Sequence, residues 1–232
     1  MSAAKSYKSY FSFFKKYILP YISTEKKIRI LDIGCGEGHL LYSFKKAGYL
    51  NCFGIDLSEN KIKKSKEVIS SVEAVDMFEY LDRNNEKFDL ITLFDVAEHL
   101  DKKDLLVLLK RINSSLNASG MLIIHTLNAW SSFSHFYFFS DLTHKQLYSP
   151  RLMKDICGFA GFKEPKFYSS SPDRLRLPEN IFSLNSLFLS LLRIVQWILW
   201  KIISIFYLLI NYIVLGEKIS IRTPNFIIIC RK

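Results

Sequence analysis

Residues 28–38 read Ile28-Arg29-Ile30-Leu31-Asp32-Ile33-Gly34-Cys35-Gly36-Glu37-Gly38, an apolar run that breaks into alternating glycines. The run is short, rich in β-branched isoleucine and free of turn residues until Gly34, which predicts a buried strand, Ile28–Ile33. Glycines at 34, 36 and 38 permit a tight turn and let the backbone approach a ligand closely at the start of the following helix. Asp56 closes the next apolar run, Cys52–Asp56. It follows about 20 residues on, where a carboxylate can accept both hydroxyls of a ribose. Strand, glycine loop, helix and acid at this offset predict the first half of a doubly wound α/β sheet.

The alternation continues along the chain. Val72–Val75, Phe88–Phe94 and Met121–Thr126 read as further strands, a sixth lies around Phe162–Ser169, and Asn225–Cys230 is the last. Helices are predicted near 38–47, 58–70, 101–116 and 149–158. The third carries Leu105, Leu106, Leu108, Leu109 and Ile112 at helical spacing and ends at the turn signal Asn117-Ala118-Ser119-Gly120. The expected organisation is a basic-aromatic N-terminal helix (1–24), an α/β domain over 25–170 plus 225–232, and an apolar helical insertion (178–216).

Composition narrows the class. The chain has 232 residues, 49% hydrophobic and 23% charged, too apolar for disorder. Its net charge is +10, but residues 1–29 hold +6 and residues 216–232 hold +3, leaving the body nearly neutral. A nucleic-acid partner would call for a basic stripe along the body, so none is expected. Basic ends on a greasy chain suit an anionic membrane surface. Cys35, Cys52, Cys157 and Cys230 are widely spaced and read as reduced thiols of a cytoplasmic protein. Lys5, Lys8, Lys15 and Lys16 interrupt the N-terminal apolar residues, so no secretory signal is expected.

One segment departs from the pattern. Residues 181–215 contain 26 apolar residues out of 35. On a helical wheel, Ser183, Ser186, Ser190, Arg193, Lys201, Ser204 and Asn211 fall within about an 80° arc. The segment suits a buried core helix or helix pair. A crossing from Ile194 to Leu215 would have the required length, about 20 residues, but would strand the last strand beyond the bilayer. An interfacial or re-entrant helix avoids that conflict and is the preferred expectation.

The run DIGCGEG, residues 32–38, closely resembles motif I of class I S-adenosylmethionine (SAM) dependent methyltransferases. Other landmarks of that family follow in order: Asp56, then Val75-Asp76-Met77-Phe78, then Phe88-Asp89-Leu90-Ile91 leading to Phe94-Asp95-Val96-Ala97-Glu98-His99. The resemblance implies a Rossmann-like, seven-stranded, mostly parallel sheet, with SAM as cofactor and S-adenosylhomocysteine as product. It assigns the cofactor to Asp32, Gly34, Cys35, Gly36, Gly38, Asp56, Leu57, Asp76, Met77, Phe94 and Asp95.

Two stretches point within the family. Asp95-Val-Ala-Glu98-His99 resembles the E-V-x-E-H element of quinone-biosynthesis O-methyltransferases, where the acids and histidine have been implicated in metal binding. Asp replaces the first Glu here, and no metal is expected. Asp141-Leu142-Thr143-His144, with Tyr148-Ser149-Pro150 and Gly161-Phe162, resembles the D-P-T-H…[FY]-[ST]-P…GF run of methyltransferases acting on cell-surface glycans, with Leu142 in place of the proline.

Methyl transfer to a hydroxyl needs in-line alignment and a base for the proton. Of five histidines, His39 reads as structural, while His125 and His144 fall at or beyond the end of the fifth strand. His144 is the expected base, with Asp141 as its orienter and His99 as the alternative. Trp130–Phe139 reads as an aromatic cover over the substrate. In the fold that the resemblance implies, the sixth strand runs with the others and the seventh against them, so segment 181–215 is expected to leave from the active-site edge. The expectation is an enzyme peripheral on the inner membrane face, O-methylating a lipid-linked or cell-surface glycan. A quinone or lipid phenol acceptor, or a non-catalytic SAM-binding partner subunit, are the alternatives. Tyr7–Ile22 reads as a second membrane contact or as the N-terminal lid helix of the family it resembles, and the two readings are compatible.

Overall fold

The computed structural model describes residues 3–67, 69–131, 133–170, 221 and 223–232, together with 191–192, 194–195, 197–199, 201–203, 205–206, 209 and 212–213. These form a sheet of β1 (Ile30–Ile33), β2 (Cys52–Asp56), β3 (Val72–Ala74), β4 (Phe88–Phe94), β5 (Leu116–Leu127), β6 (Lys163–Ser169) and β7 (Asn225–Arg231). Its order is β3-β2-β1-β4-β5-β7-β6. Strands β1 to β5 pair parallel, while β7 runs antiparallel to both β5 and β6. Each expected strand is present, and Cys52–Asp56 and Phe88–Phe94 have the expected bounds.

The differences have local causes. β5 starts five residues before the expected Met121, because Leu116 pairs with Phe88 and Met121 with Leu90. Residues 117–120, read as a turn, bulge out of the ladder between those pairs. A helix at Met77–Arg83 was not expected; the Asp76 carboxylate caps it by accepting the amides of Phe78 and Glu79.

Apolar residues alternate to both faces, as a sheet covered on both sides requires. On one face, Ile91, Leu93, Leu122, Ile124 and Ile228 pack with Leu105, Leu108, Leu109 and Ile112 of α5 (Lys102–Ser115) and Met153 and Ile156 of α7 (Pro150–Phe159). On the other, Ile30, Leu90, Ile123, Ile227 and Ile229 meet α1 (Ala3–Tyr17), α2 (His39–Lys46) and α3 (Glu59–Ser65), with α4 being Met77–Arg83 and α6 Ser134–Phe139. In α1, Phe14 is fully buried with its ring 5.0 Å from that of Phe44, and Ile18 just beyond it is buried as well. Those two side chains therefore belong to the core and cannot enter a bilayer.

All four cysteines are buried and unpaired. Burial pushes the Cys52 thiol up to about 12. Of the predicted insertion, 178–216, most lies outside the described residues, including Ser183, Ser186, Ser190, Arg193, Ser204 and Asn211 of the polar arc. The described residues between 191 and 213 are helical. Among the described residues, no helix is long and apolar enough to cross a membrane.

Candidate active site

The carboxyl ends of β1, β2 and β4 converge where β1 runs into the glycine loop. Gly34, Gly36 and Gly38 all adopt left-handed φ values, 72°, 55° and 82°. The Gly34 and Cys35 amides donate to the Ile55 carbonyl at 2.8 and 2.9 Å, which binds the loop to β2. At Gly34 a Cβ would lie 2.3 Å from Val96 Cγ2, so glycine is required there by contact as well as by conformation. Asp56 completes the turn: Oδ2 accepts the Gly36 amide at 3.0 Å and Oδ1 the Ser58 amide at 2.8 Å.

These elements enclose a cavity of ≈ 200 Å³ whose lining includes Gly34, Asp56, Leu57, Asp76, Met77 and Asp95, with His99 at its edge. The other expected cofactor residues do not line this cavity. Asp32 is buried and accepts the Thr92 hydroxyl at 2.7 Å; burial pushes its carboxyl up to about 7, against that bond. Cys35 packs beneath Gly54, Gly36 and Gly38 set the turn, and Phe94 stacks on His125 at 5.3 Å. A larger cavity of ≈ 480 Å³ opens at the opposite edge, between Tyr21, Lys163 and Arg231, remote from this chemistry.

Beside the cavity, Asp95 sits at φ 53°, a conformation few non-glycine residues adopt. Its Oδ1 accepts from His125 Nδ1 at 2.6 Å, and His125 Nε2 meets the Ser170 hydroxyl at 3.0 Å. Burial alone would depress His125, but the adjacent Asp95 charge outweighs it and raises its pKa. Burial likewise opposes ionisation of Asp95, yet His125, with His99 and His144 farther off, holds its carboxyl below the usual range. Sequence reasoning placed His125 near this edge without finding its partner. The available signal was the alignment of Phe94 with His125 in neighbouring strands, which sets Asp95 next to the imidazole.

Glu98 is buried and accepts the Thr126 hydroxyl at 2.9 Å; burial, and then Asp95, raise its pKa. Among the described residues, no group of three or more His, Cys, Asp or Glu is placed to hold a metal ion. Asp95, Glu98 and His99 are instead engaged with His125, Thr126 and Thr143.

The loop after α6 closes the rim. The Asp141 carboxylate accepts both the amide and hydroxyl of Thr143, at 2.8 and 2.6 Å, and those bonds lower its pKa. The Thr143 oxygens in turn receive His99 Nδ1, the hydroxyl at 2.9 Å and the carbonyl at 3.2 Å. His144 lies 4.8 Å from His99, ring to ring, and its Nδ1 donates to the Phe138 carbonyl at 3.1 Å. Asp141 therefore orients His99 through Thr143, whereas His144 is oriented by backbone. With Nδ1 the donor in each ring, Nε2 carries the lone pair in both neutral imidazoles. His39 stacks on Tyr7 at 4.5 Å in a structural position. Of the aromatic stretch, Phe138 stacks on His144, while Phe136, Tyr137 and Phe139 are exposed.

A methyl-donor nucleoside fits this donor set. Asp56 terminates β2 with its carboxylate on the lining, and glycine occupies the position where a Cβ would displace Val96. A family model described as "Methyltransferase domain" matches residues 7–164. A ubiquinone biosynthesis O-methyltransferase of Bradyrhizobium diazoefficiens is 34% identical over 113 residues, 46% of this chain and 43% of that protein. A mitochondrial protein of the same name from Candida albicans is 30% identical over 124 residues, 46% of this chain and 35% of that protein. The chain thus spans less than half the length of these relatives. A crystal structure of a SAM-dependent methyltransferase from Archaeoglobus fulgidus superposes with a TM-score of 0.71 at 24% identity, covering 97% of this chain and 94% of that one. Magnesium protoporphyrin IX methyltransferase from Synechocystis, solved with bound SAM, gives 0.53 at 18% identity over 72% and 73% of the chains. The fold is that of the class I SAM-dependent methyltransferases.

Proposed function

Because this chain belongs to the methyltransferase-domain family, we propose that it O-methylates a hydroxyl of a lipid-linked acceptor, with SAM as the donor. The observation that carries this reading is the position of His99, which lines the donor cavity and lies 4.8 Å from His144 of the acceptor-side loop. Gly34, Asp56, Leu57, Asp76 and Met77 would hold the donor. When bound, its sulfonium supplies an activated methyl group and departs as the neutral thioether of S-adenosylhomocysteine.

The chain's own residues then have two tasks. One is alignment: the cavity wall and the stacked Phe138–His144 pair restrict the approach of a hydroxyl toward the donor. The other is proton removal. His144 Nε2 accepts the hydroxyl proton, its ring held by the Nδ1 bond to the Phe138 carbonyl, with His99 Nε2 as the alternative acceptor. Behind this rim the Asp95 carboxylate is held 2.6 Å from His125 Nδ1, which fixes the strand ends that carry the rim.

A glycan acceptor is the first reading, supported by the Asp141–His144 loop, which contributes the polar rim. A phenolic quinone precursor is the second, supported by the relatives named ubiquinone biosynthesis O-methyltransferase. Incubation with methyl-labelled SAM and host membrane extract, followed by fractionation, tests both. Label in a glycolipid fraction supports the first reading and label in a quinone fraction the second. SAM binding without label in any lipid would overturn the proposal in favour of a SAM-holding partner subunit.

A further inference from the structure

We propose that the apolar helical residues between 191 and 213 seat this protein on an anionic phospholipid bilayer, beside the mouth of the cleft. Leu191, Ile198, Ile202, Phe206, Leu209 and Ile213 are between 45% and 78% exposed. At helical spacing the six fall within about an 80° arc, on the side away from the polar arc. The exposure extends beyond that arc, since Trp197, Ile203 and Tyr212 are 38%, 48% and 61% exposed, so the described apolar residues of this segment meet solvent and not the core. A helix in the core would bury them. Water does not tolerate so large a contiguous apolar patch without a partner.

Charge selects the partner. Segment 181–215 contains no Asp or Glu, its charged residues are Arg193 and Lys201, and the whole chain carries +10. A second copy would bring the same net +10 to the contact, whereas anionic headgroups complement the charge of the whole chain. Seating on the surface, rather than crossing it, keeps the last strand on the same side of the bilayer as its sheet.

Both approaches to the segment are fixed at the active-site rim. On the entering side, the Ser170 hydroxyl meets His125 Nε2 at 3.0 Å. On the returning side, Asn128 Nδ2 donates to the carbonyls of Ile221 and Thr223 at 3.1 and 3.0 Å. Phe136 and Phe139 of α6 and Leu142 of the rim loop add exposed apolar side chains at the same edge. Delivery of an acceptor from this surface rests on the function proposed above, but the docking itself does not.

The test is flotation of the full chain with acceptor-free vesicles of phosphatidylglycerol and phosphatidylethanolamine, set against phosphatidylcholine vesicles. Binding is expected to the anionic vesicles and to weaken at high salt. Ile198→Ser/Ile202→Ser/Phe206→Ser should reduce partition at least about tenfold while SAM binding by calorimetry is retained. Should that variant fail to fold, quenching of wild-type tryptophan emission by brominated phosphatidylglycerol is the second measurement, and quenching is expected. No flotation and no quenching, equal partition into phosphatidylcholine, or a lipid-free dimer in place of vesicle binding would overturn the proposal. Because these vesicles contain no acceptor, their outcome is independent of the labelling experiment.

Discussion

Nδ1 of His125 donates to Oδ1 of Asp95 across 2.6 Å, joining the ends of adjacent strands β5 and β4 at the floor of the cleft. The bond draws on a residue at φ 53°, so side-chain pairing and a strained backbone meet at one position. In the folded chain His125 titrates above its ordinary 6.5 and Asp95 below its ordinary 3.8. The His125 contribution to stability is full below 6.5 and fades as pH rises through the folded value. That of Asp95 is full above 3.8 and fades as pH falls through its folded value. The Tm difference between wild type and His125→Asn should therefore be widest between 3.8 and 6.5 and shrink at alkaline pH. A difference that is flat with pH would refute a charged pair.

Asp32 runs the opposite way. Its folded carboxyl titrates near 7, above the ordinary 3.8, so ionising it costs stability increasingly as pH rises across that interval. Asp32→Asn keeps an oxygen to accept the Thr92 hydroxyl and removes the buried charge. Thermal melts of the ligand-free protein should show the variant more stable than wild type above pH 7, with the gap closing toward pH 4.

Gly34→Ala places a methyl group against Val96 on the cavity wall, at a backbone angle that costs an L-residue about 1–2 kcal/mol. SAM affinity, read by calorimetry, should fall about tenfold or more, a drop of at least about 1.4 kcal/mol. Melting temperature should fall with it. Unchanged affinity would mean that this wall does not face the donor.

His144→Ala should lower kcat by about 10²–10⁴ with SAM affinity nearly intact. Thr143→Val separates the two candidate bases, since it removes the hydroxyl linking Asp141 to His99 and leaves the His144–Phe138 bond in place. Retained turnover in the valine variant together with loss in His144→Ala assigns the proton to His144; the reverse pattern assigns it to His99.

The donor side of the molecule was legible because its signals are local. Gly34, Gly36, Gly38 and Asp56 stand in short stretches whose spacing alone predicts strand, turn and helix, and in the structure the Gly36 amide donates to the Asp56 carboxylate. The acceptor side was not, because it depends on pairings remote in sequence. His125 is 30 residues from Asp95 and 45 from Ser170, and only strand register joins them. His99 and Thr143 are 44 apart, so the chain alone did not show that Asp141 would serve His99 and leave His144 to the backbone. The N-terminal stretch was ambiguous for another reason. Apolar residues at three- and four-residue spacing suit a protein surface as well as a bilayer, and the contact of Phe14 with Phe44 shows that this side chain serves the protein's own core.

The anchoring of Ser170 on one side and of Ile221 and Thr223 on the other makes the excursion between them a cassette. No strand pairing passes through it in the described residues, since β6 and β7 close on each other from Ser169 to Phe226 onward. On the bilayer contact proposed above, a graft exchanged between residues 170 and 221 is expected to change which surface the molecule settles on, while the strand order and the glycine turn, which lie outside it, stay as they are.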